Sequence, residues 1–424
     1  MDILILLLGG NPLPNFIIAD YLLNSGRDDR DDLPIPGKIF LVSTERTKNF
    51  CESIIELLRK KHKGDFPQTE EIELYDKHRF PKTIQEKIKE KIKKSFENSH
   101  AIDSIHLGYT GGTKPMAANA FAAAIEFVHE NNLKLILSDL NPDNFKLTTF
   151  TVNSNARMTE EKNFPGKGDL RDYVHLDIDE IFALHEMKPI KKKKENFILN
   201  GAMVDIIPFS LAMASDYKKG ARRNRFLGIS KELAKTDPKL NEKIVSNHPY
   251  LKGIFDEKYN LIISTGQFDQ FVCGKWLEHY LYSSLKKIER ELKITFSTIR
   301  MNVEAEYEKR KCEIDVIAMR GFQMFLFSCT TSQKIKLVKQ KAFEALFRAE
   351  QLGGEHAKVV VVSTMFNTPG IPGKIKFSRK SNIRELEKDL KQFNADQKCE
   401  SIGIDELSNE KELIRKLSNI INRN

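Results

Sequence analysis

Two groups of residues in this chain carry the chemistry. The first is Gly108-Tyr-Thr-Gly-Gly-Thr-Lys-Pro-Met-Ala-Ala-Asn-Ala120, which follows the apolar segment Ile105-His-Leu107. A strand that ends in a glycine-rich turn at a helix start gathers free backbone N–H groups and the positive end of the helix dipole at one point, which suits an anion. Gly111 and Gly112 allow close backbone approach, Thr110 and Thr113 add hydroxyls, Lys114 adds a charge, and Pro115 falls where its missing N–H costs nothing. The GxxxxGK[ST] spacing of a P-loop is absent. The second group is Glu278, Glu313 and Asp315, with the polar run Ser328-Cys-Thr-Thr-Ser332. Carboxylates from separate elements suit Mg²⁺ or Mn²⁺, hard cations that prefer oxygen, and such a cation polarises a phosphodiester.

The elements that position these residues follow from periodicity. Residues 2–8 are a continuous apolar run, as in a strand buried on both faces, and the turn Gly9-Gly-Asn-Pro-Leu-Pro14 leads into a helix over 15–24. Strands at 38–43, 71–75, 102–107 and 133–138 alternate with helices at 47–63, 83–98 and 114–130. This βαβα order predicts a doubly wound, largely parallel sheet, whose ligands bind beyond the carboxyl ends of the strands. The loops Gly9–Asn15, Ser43–Arg46 and Tyr109–Lys114 all fall at such ends. Residues 154–172 read as a polar loop, 176–185 as a short capped helix, and 195–260 as a helical connector without assigned chemistry. Beyond it the sequence predicts a helix over 268–291, strands at 294–301, 313–319 and 322–329, a helix over 334–352 and a strand at 358–363. These elements predict domains at 1–155, 156–263 and 264–424.

Composition bounds the setting. The 424 residues carry 68 Lys and Arg against 59 Asp and Glu, a net charge of +9 that favours an anionic partner such as nucleic acid. Part of that charge lies in Lys191-Lys-Lys-Lys194. Five cysteines without CxxC spacing argue for a reducing, cytoplasmic setting and against a structural zinc. The first apolar run is too short to span a membrane and lacks the basic flank of a signal peptide.

Gly274-Lys-Trp-Leu-Glu278 followed by Cys312-Glu-Ile-Asp-Val-Ile-Ala318 resembles the PD-(D/E)XK, restriction-endonuclease-like core. Its joining to an N-terminal α/β unit bearing Gly-Tyr-Thr-Gly-Gly-Thr-Lys resembles the ancillary nucleases of type III CRISPR systems, which pair a CARF sensor domain with a nuclease domain. The resemblance implies a Rossmann-like sensor sheet, a helical connector and a restriction-endonuclease-like α/β domain. It implies a cyclic oligoadenylate activator, most often the tetra-adenylate, bound across a homodimer, and metal-dependent cleavage of DNA or RNA in antiviral defence. Tyr109, Thr110, Gly111, Gly112, Thr113 and Lys114 match the main ligand loop, and Gly10, Asn11, Ser43 and Thr44 the supporting loops. Glu278 corresponds to the first-helix acid and Asp315 to the central metal ligand, with Glu313 as a further carboxylate. One position departs from the pattern: Thr330 stands where the family has lysine. The following helix offers Lys334, Lys336, Lys339 and Lys341, of which Lys339 and Lys341 flank its core face on opposite sides, and Lys341 is preferred as nearer the strand end.

Two rival readings follow. Thr330 supports a sensor whose degenerate nuclease-like domain only binds nucleic acid or protein. A nucleotide- or NAD-dependent enzyme is disfavoured because the first turn lacks GxGxxG.

Overall fold

The structure is a computed structural model that describes residues 1–424 except 25–32, 65, 76–79, 100–101, 154–156, 191–204, 220–223, 234, 236, 368–381 and 424. Lys191–Lys194 and part of the connector therefore lie outside the described residues.

The first sheet is seven-stranded. Its strands are β1 (Asp2–Leu7), β2 (Pro36–Ser43), β3 (Gln68–Glu73), β4 (Ser104–Gly108), β5 (Lys134–Asn141), β6 (Lys146–Val152) and β7 (Met158–Phe164), in the order β3-β2-β1-β4-β5-β6-β7. The first five pair in parallel, and β6 and β7 add antiparallel at one edge. Helices α1 (Leu13–Leu23), α2 (Lys48–Lys61), α3 (Pro81–Ser99) and α4 (Lys114–Asn131) make the crossovers. The strand order reverses between β1 and β4, so the loops that follow these strands diverge over the crevice expected to hold a ligand. Ile3, Ile5, Leu7, Ile105 and Leu107 share one core with α3 and α4, while Leu4 and Leu6 point to the face of α1 and α2. That is the period of two of a strand covered on both sides.

Strand β7 corrects the loop expected over 154–172, and it lies past the boundary drawn at 155. It was hidden because an edge strand exposes most of its side chains, and Thr159, Glu160, Glu161 and Asn163 carry no apolar period. Helix α5 (Ile178–Leu184) follows, capped by Asp177, which accepts from the Glu180 N–H at 2.8 Å.

The second sheet is six-stranded. It is built from β8 (Lys188–Pro189), β9 (Thr298–Tyr307), β10 (Arg310–Arg320), β11 (Gln323–Thr330), β12 (Lys358–Ser363) and β13 (Cys399–Ile402), in the order β13-β12-β11-β10-β9-β8. The meander β9-β10-β11 is antiparallel, whereas β11, β12 and β13 are parallel. One face is covered by α6 (Ile206–Lys218), α7 (Asn224–Leu233), α8 (Pro238–Asn247), α9 (Thr265–Gln270) and α10 (Trp276–Leu292), whose core centres on Phe209, Phe271, Trp276 and Tyr280. The other face carries α11 (Ile335–Gly353) and α12 (Ile383–Gln392), while α13 (Ile404–Leu407) and α14 (Glu410–Asn422) close the first face. Between α9 and α10 the backbone forms one π-helical stretch, Phe271–Lys275.

The two sheets share one apolar core in which α1, α2 and α5 pack toward β9–β12 and α11. Polar contacts lock the junction. Arg171 is buried, donates to Gln323 Oε1 at 2.7 Å, and lies 3.9 Å from the Phe145 ring centre. Phe145, Phe322 and His356 form a ring cluster with centres 5.5–6.1 Å apart. The five cysteines are free thiols. No helix among the described residues is long and apolar enough to cross a membrane.

Candidate functional site

The cleft of the second sheet opens between β10, β11 and α11. Its volume is about 440 Å³, and Glu304, Lys311, Glu313, Asp315, Ser328, Lys341, Glu344 and Arg348 contribute its polar lining. Along β10, exposed Lys311 and Glu313 alternate with buried Cys312 and Ile314, and half-buried Asp315 follows. Asp315 is fixed by its neighbour strand, because the Cys329 N–H donates to its Oδ2 at 2.7 Å. Lys341 Nζ, from α11, stands 3.6 Å from the same oxygen. Glu278 projects from the first turn of α10, and its Oε2 is buried without a hydrogen-bond partner. Burial pushes the Glu278 carboxyl up to about 7, with the Asp315 charge adding to the effect, while Lys275 and Lys341 oppose it. Glu313 raises it further, so Asp315 and Glu313 both lie within electrostatic reach of Glu278.

Lys339 goes elsewhere: its Nζ pairs with Asp389 of α12 at 2.6 Å. Thr330 Oγ1 accepts from the Ser332 N–H at 3.1 Å, and Thr331 donates to the Cys273 carbonyl at 2.9 Å, tying the end of β11 to the π-helical stretch. Sequence reasoning passed over Glu304, Lys311, Glu344 and Arg348. The period of two on β10 signals Lys311, and spacings of three and seven from Lys341 signal Glu344 and Arg348. Glu304 sits opposite Glu313 across the β9–β10 ladder, a like-charge pair that disfavours itself and suits a cation between the two. Among the described residues no three His, Cys, Asp or Glu side chains converge as a ready-made metal cluster.

The loops of the first sheet are packed backbone against backbone. A Cβ on Gly111 would lie 2.1 Å from the Leu7 carbonyl oxygen, and one on Gly9 would lie 2.9 Å from the Gly112 nitrogen. Gly112 has φ of +76°, a left-handed conformation that favours glycine. These glycines seat the β4 loop on the β1 loop, and Asn15 Nδ2 reinforces the contact by donating to the Leu7 carbonyl at 3.0 Å. Thr113 caps α4 and accepts from the Met116 N–H at 3.4 Å. Several hydroxyls expected to face a ligand are engaged within the protein. Thr110 donates to Asp139 at 3.0 Å and accepts from the Leu140 N–H at 2.7 Å. Ser43 donates to Glu71, and the Thr44 and Thr47 hydroxyls share a hydrogen bond at 3.2 Å. Gly10, Thr113 and Lys114 remain exposed, while Tyr109 is half-buried, with its hydroxyl pKa raised by burial and then by Asp139. Asn11 accepts from the Leu13 N–H at 2.9 Å, and its Nδ2 reaches the turn after α11, where a Cβ on Gly354 would stand 2.7 Å away.

Together the fold and the two sites define a two-sheet α/β protein, a doubly wound, largely parallel sheet joined to a mixed six-stranded one. That architecture is shared along the whole chain with solved proteins. Protein VC1899 from Vibrio cholerae matches with a TM-score of 0.65 at 13% identity, covering 100% of this chain and 99% of that one. Can2 from Sulfobacillus thermosulfidooxidans, solved in complex with cyclic tetra-adenylate, matches with a TM-score of 0.61 at 17% identity, covering 99% of this chain and 97% of that one. At these identities the likeness is one of fold. No protein-family model and no curated protein matches the chain.

Proposed function

We propose that this protein is a cytoplasmic, cyclic-oligoadenylate-activated, metal-dependent nuclease of type III CRISPR defence, with the first sheet as sensor and the second as nuclease. One observation carries the reading: Lys341, brought in by α11, stands over Asp315 in the cleft, and Glu278, whose carboxyl feels the Asp315 charge, leaves a buried oxygen without a partner. The sensor half rests on the exposed α4 N-terminus with Lys114 beside it, and on the shared fold with Can2, which was solved with cyclic tetra-adenylate.

The residues present fit a hard divalent cation. Burial, with the Asp315 charge adding to it, holds the Glu278 carboxyl near 7, and positive charge beside its orphaned oxygen relieves both. Glu278 and Asp315 would hold Mg²⁺ or Mn²⁺, with Glu313 nearby. When bound, the cation supplies Lewis-acid polarisation of a phosphodiester oxygen. The chain's own groups do the rest. Asp315 is held in place by the Cys329 N–H, so its carboxylate needs no reorientation. Lys341 places a fixed charge where the phosphorus centre gains negative charge, the role that Thr330 leaves open. Arg348 and Lys311 extend positive charge along the cleft toward the flanking backbone.

The test is cleavage of DNA and of RNA with cyclic tri-, tetra- or hexa-adenylate and Mg²⁺ or Mn²⁺. Asp315→Ala is expected to abolish cleavage while the adenylate still raises the melting temperature. A wild type that cuts neither polymer under any of these conditions overturns the enzyme reading. A second reading, a non-catalytic sensor, then takes its place, and Thr330 is the residue that favours it.

A further inference from the structure

Helix α11 presents its core face through Val338, Ala342, Ala345 and Ala349, and at 100° per residue Phe347 points directly away from it. Phe347 is 68% exposed, Phe343 is 37% exposed, and Phe393, at the end of α12, is 63% exposed. Phe343 and Phe393 meet edge to face with ring centres 5.6 Å apart. Isolated apolar residues on a surface are ordinary, but three aromatic rings on one patch are not. The patch continues into the cleft: Arg348, which lines it, holds its guanidinium 5.9 Å from the Phe347 ring centre.

We infer that Phe347, with Phe343 and Phe393 behind it, is a stacking platform that holds unpaired bases of a single-stranded nucleic acid entering the cleft beside Asp315. Two features select this occupant over an apolar protein surface. Cations are interleaved with the rings on the same helix, Lys336 on the outer face and Lys341 and Arg348 at the cleft, so an apolar partner would have to desolvate them. A single strand satisfies both sets, because its phosphates meet the cations and every base offers a π face. The inference rests on the nuclease reading of the cleft and gives it a substrate class, a strand with unpaired bases.

The experiment measures fluorescence anisotropy of a labelled oligothymidylate and of a labelled duplex of equal length. The full-length protein is used in chelator, with and without cyclic tetra-adenylate. Phe347→Ala is expected to weaken binding of the single strand roughly five- to hundredfold, leaving duplex affinity and the salt slope unchanged. Phe347→Trp restores the affinity, which a merely structural residue would not show. Arg348→Ala lowers the salt slope as well. Unchanged single-strand affinity in Phe347→Ala, equal loss for single strand and duplex, or no single-strand binding by the wild type overturns the inference. So does a drop in oligomeric mass on Phe347→Ala by light scattering, which would make the patch a contact between copies. Because no cleavage is read, a platform that binds without turnover separates the failure of the nuclease reading from the failure of this one.

Discussion

Lys339 and Lys341 are two residues apart on one helix, yet the first pairs with Asp389 and the second faces Asp315. Their substitution is therefore expected to separate. Lys341→Ala should lower single-turnover cleavage by roughly a hundred- to a thousandfold with substrate affinity retained. Lys339→Ala should leave turnover unchanged and cost about 1 kcal/mol or less. Equal losses of turnover at both positions would refute the assignment. Azimuth alone, read from the sequence, favoured Lys341 but could not exclude Lys339, because Asp389 lies on α12, a helix beyond the part of the pattern that was read. The glycines of the first-sheet loops behave similarly. Their types pointed to ligand approach, while the structure gives Gly111 a packing duty against the Leu7 carbonyl. Gly111→Ala should destabilise the fold by about 1–3 kcal/mol. Gly10→Ala, with open space around its Cβ, should keep the wild-type melting temperature and report on ligand affinity alone. A thermal melt of the two variants decides it: equal stability would remove the packing role of Gly111.

At the scale of elements, α11 carries Lys341 near one end and ends on the junction with the first sheet. There His185, at the end of α5, meets the Leu352 carbonyl at 3.0 Å, and His356 lies among Phe145 and Phe322. Burial lowers both imidazoles to about 4. The unfolded chain binds their protons near 6.5, so between 6.5 and about 4 it holds more protons than the folded one. Their contribution is thus complete above pH 6.5 and is lost as pH falls toward 4, on the order of 2–3 kcal/mol for each histidine. Urea midpoints measured across this window should fall steadily with acid, and a flat profile would contradict the account. The strands buried on both faces were legible as apolar runs, and β10, β11, α11 and β12 from period and turns, whereas the strand expected at 294–301 lies at Thr298–Tyr307. Edge strand β7 was not, since exposed Glu160 and Glu161 leave no pattern. Strand β13 and helices α12 to α14 had no chemical residue to draw attention to them.

For the whole molecule, the net charge of +9 and the proposed sensor role of the first sheet lead to expectations that span more than one chain. A cyclic adenylate repeats its phosphates around a ring, which suits a two-fold site between two copies. One ring per two chains is expected by calorimetry. At a hundredfold excess over its dissociation constant the ring should add about 2.7 kcal/mol of stability, and Lys114→Ala should reduce the thermal shift. One ligand per chain, or a monomer by light scattering at micromolar concentration, would contradict this arrangement. The shared apolar core between the sheets has a consequence for anyone wishing to rewire the protein. Leu4 and Leu6 of β1 belong to the same cluster as Met324 and Leu326 of β11, and Arg171 is sealed onto Gln323. The halves are therefore expected to melt in one transition, which calorimetry checks, rather than to behave as interchangeable parts. A foreign receptor grafted in place of the first sheet would leave this seam bare, whereas one that brings α5 and the seam residues along with it would keep it covered.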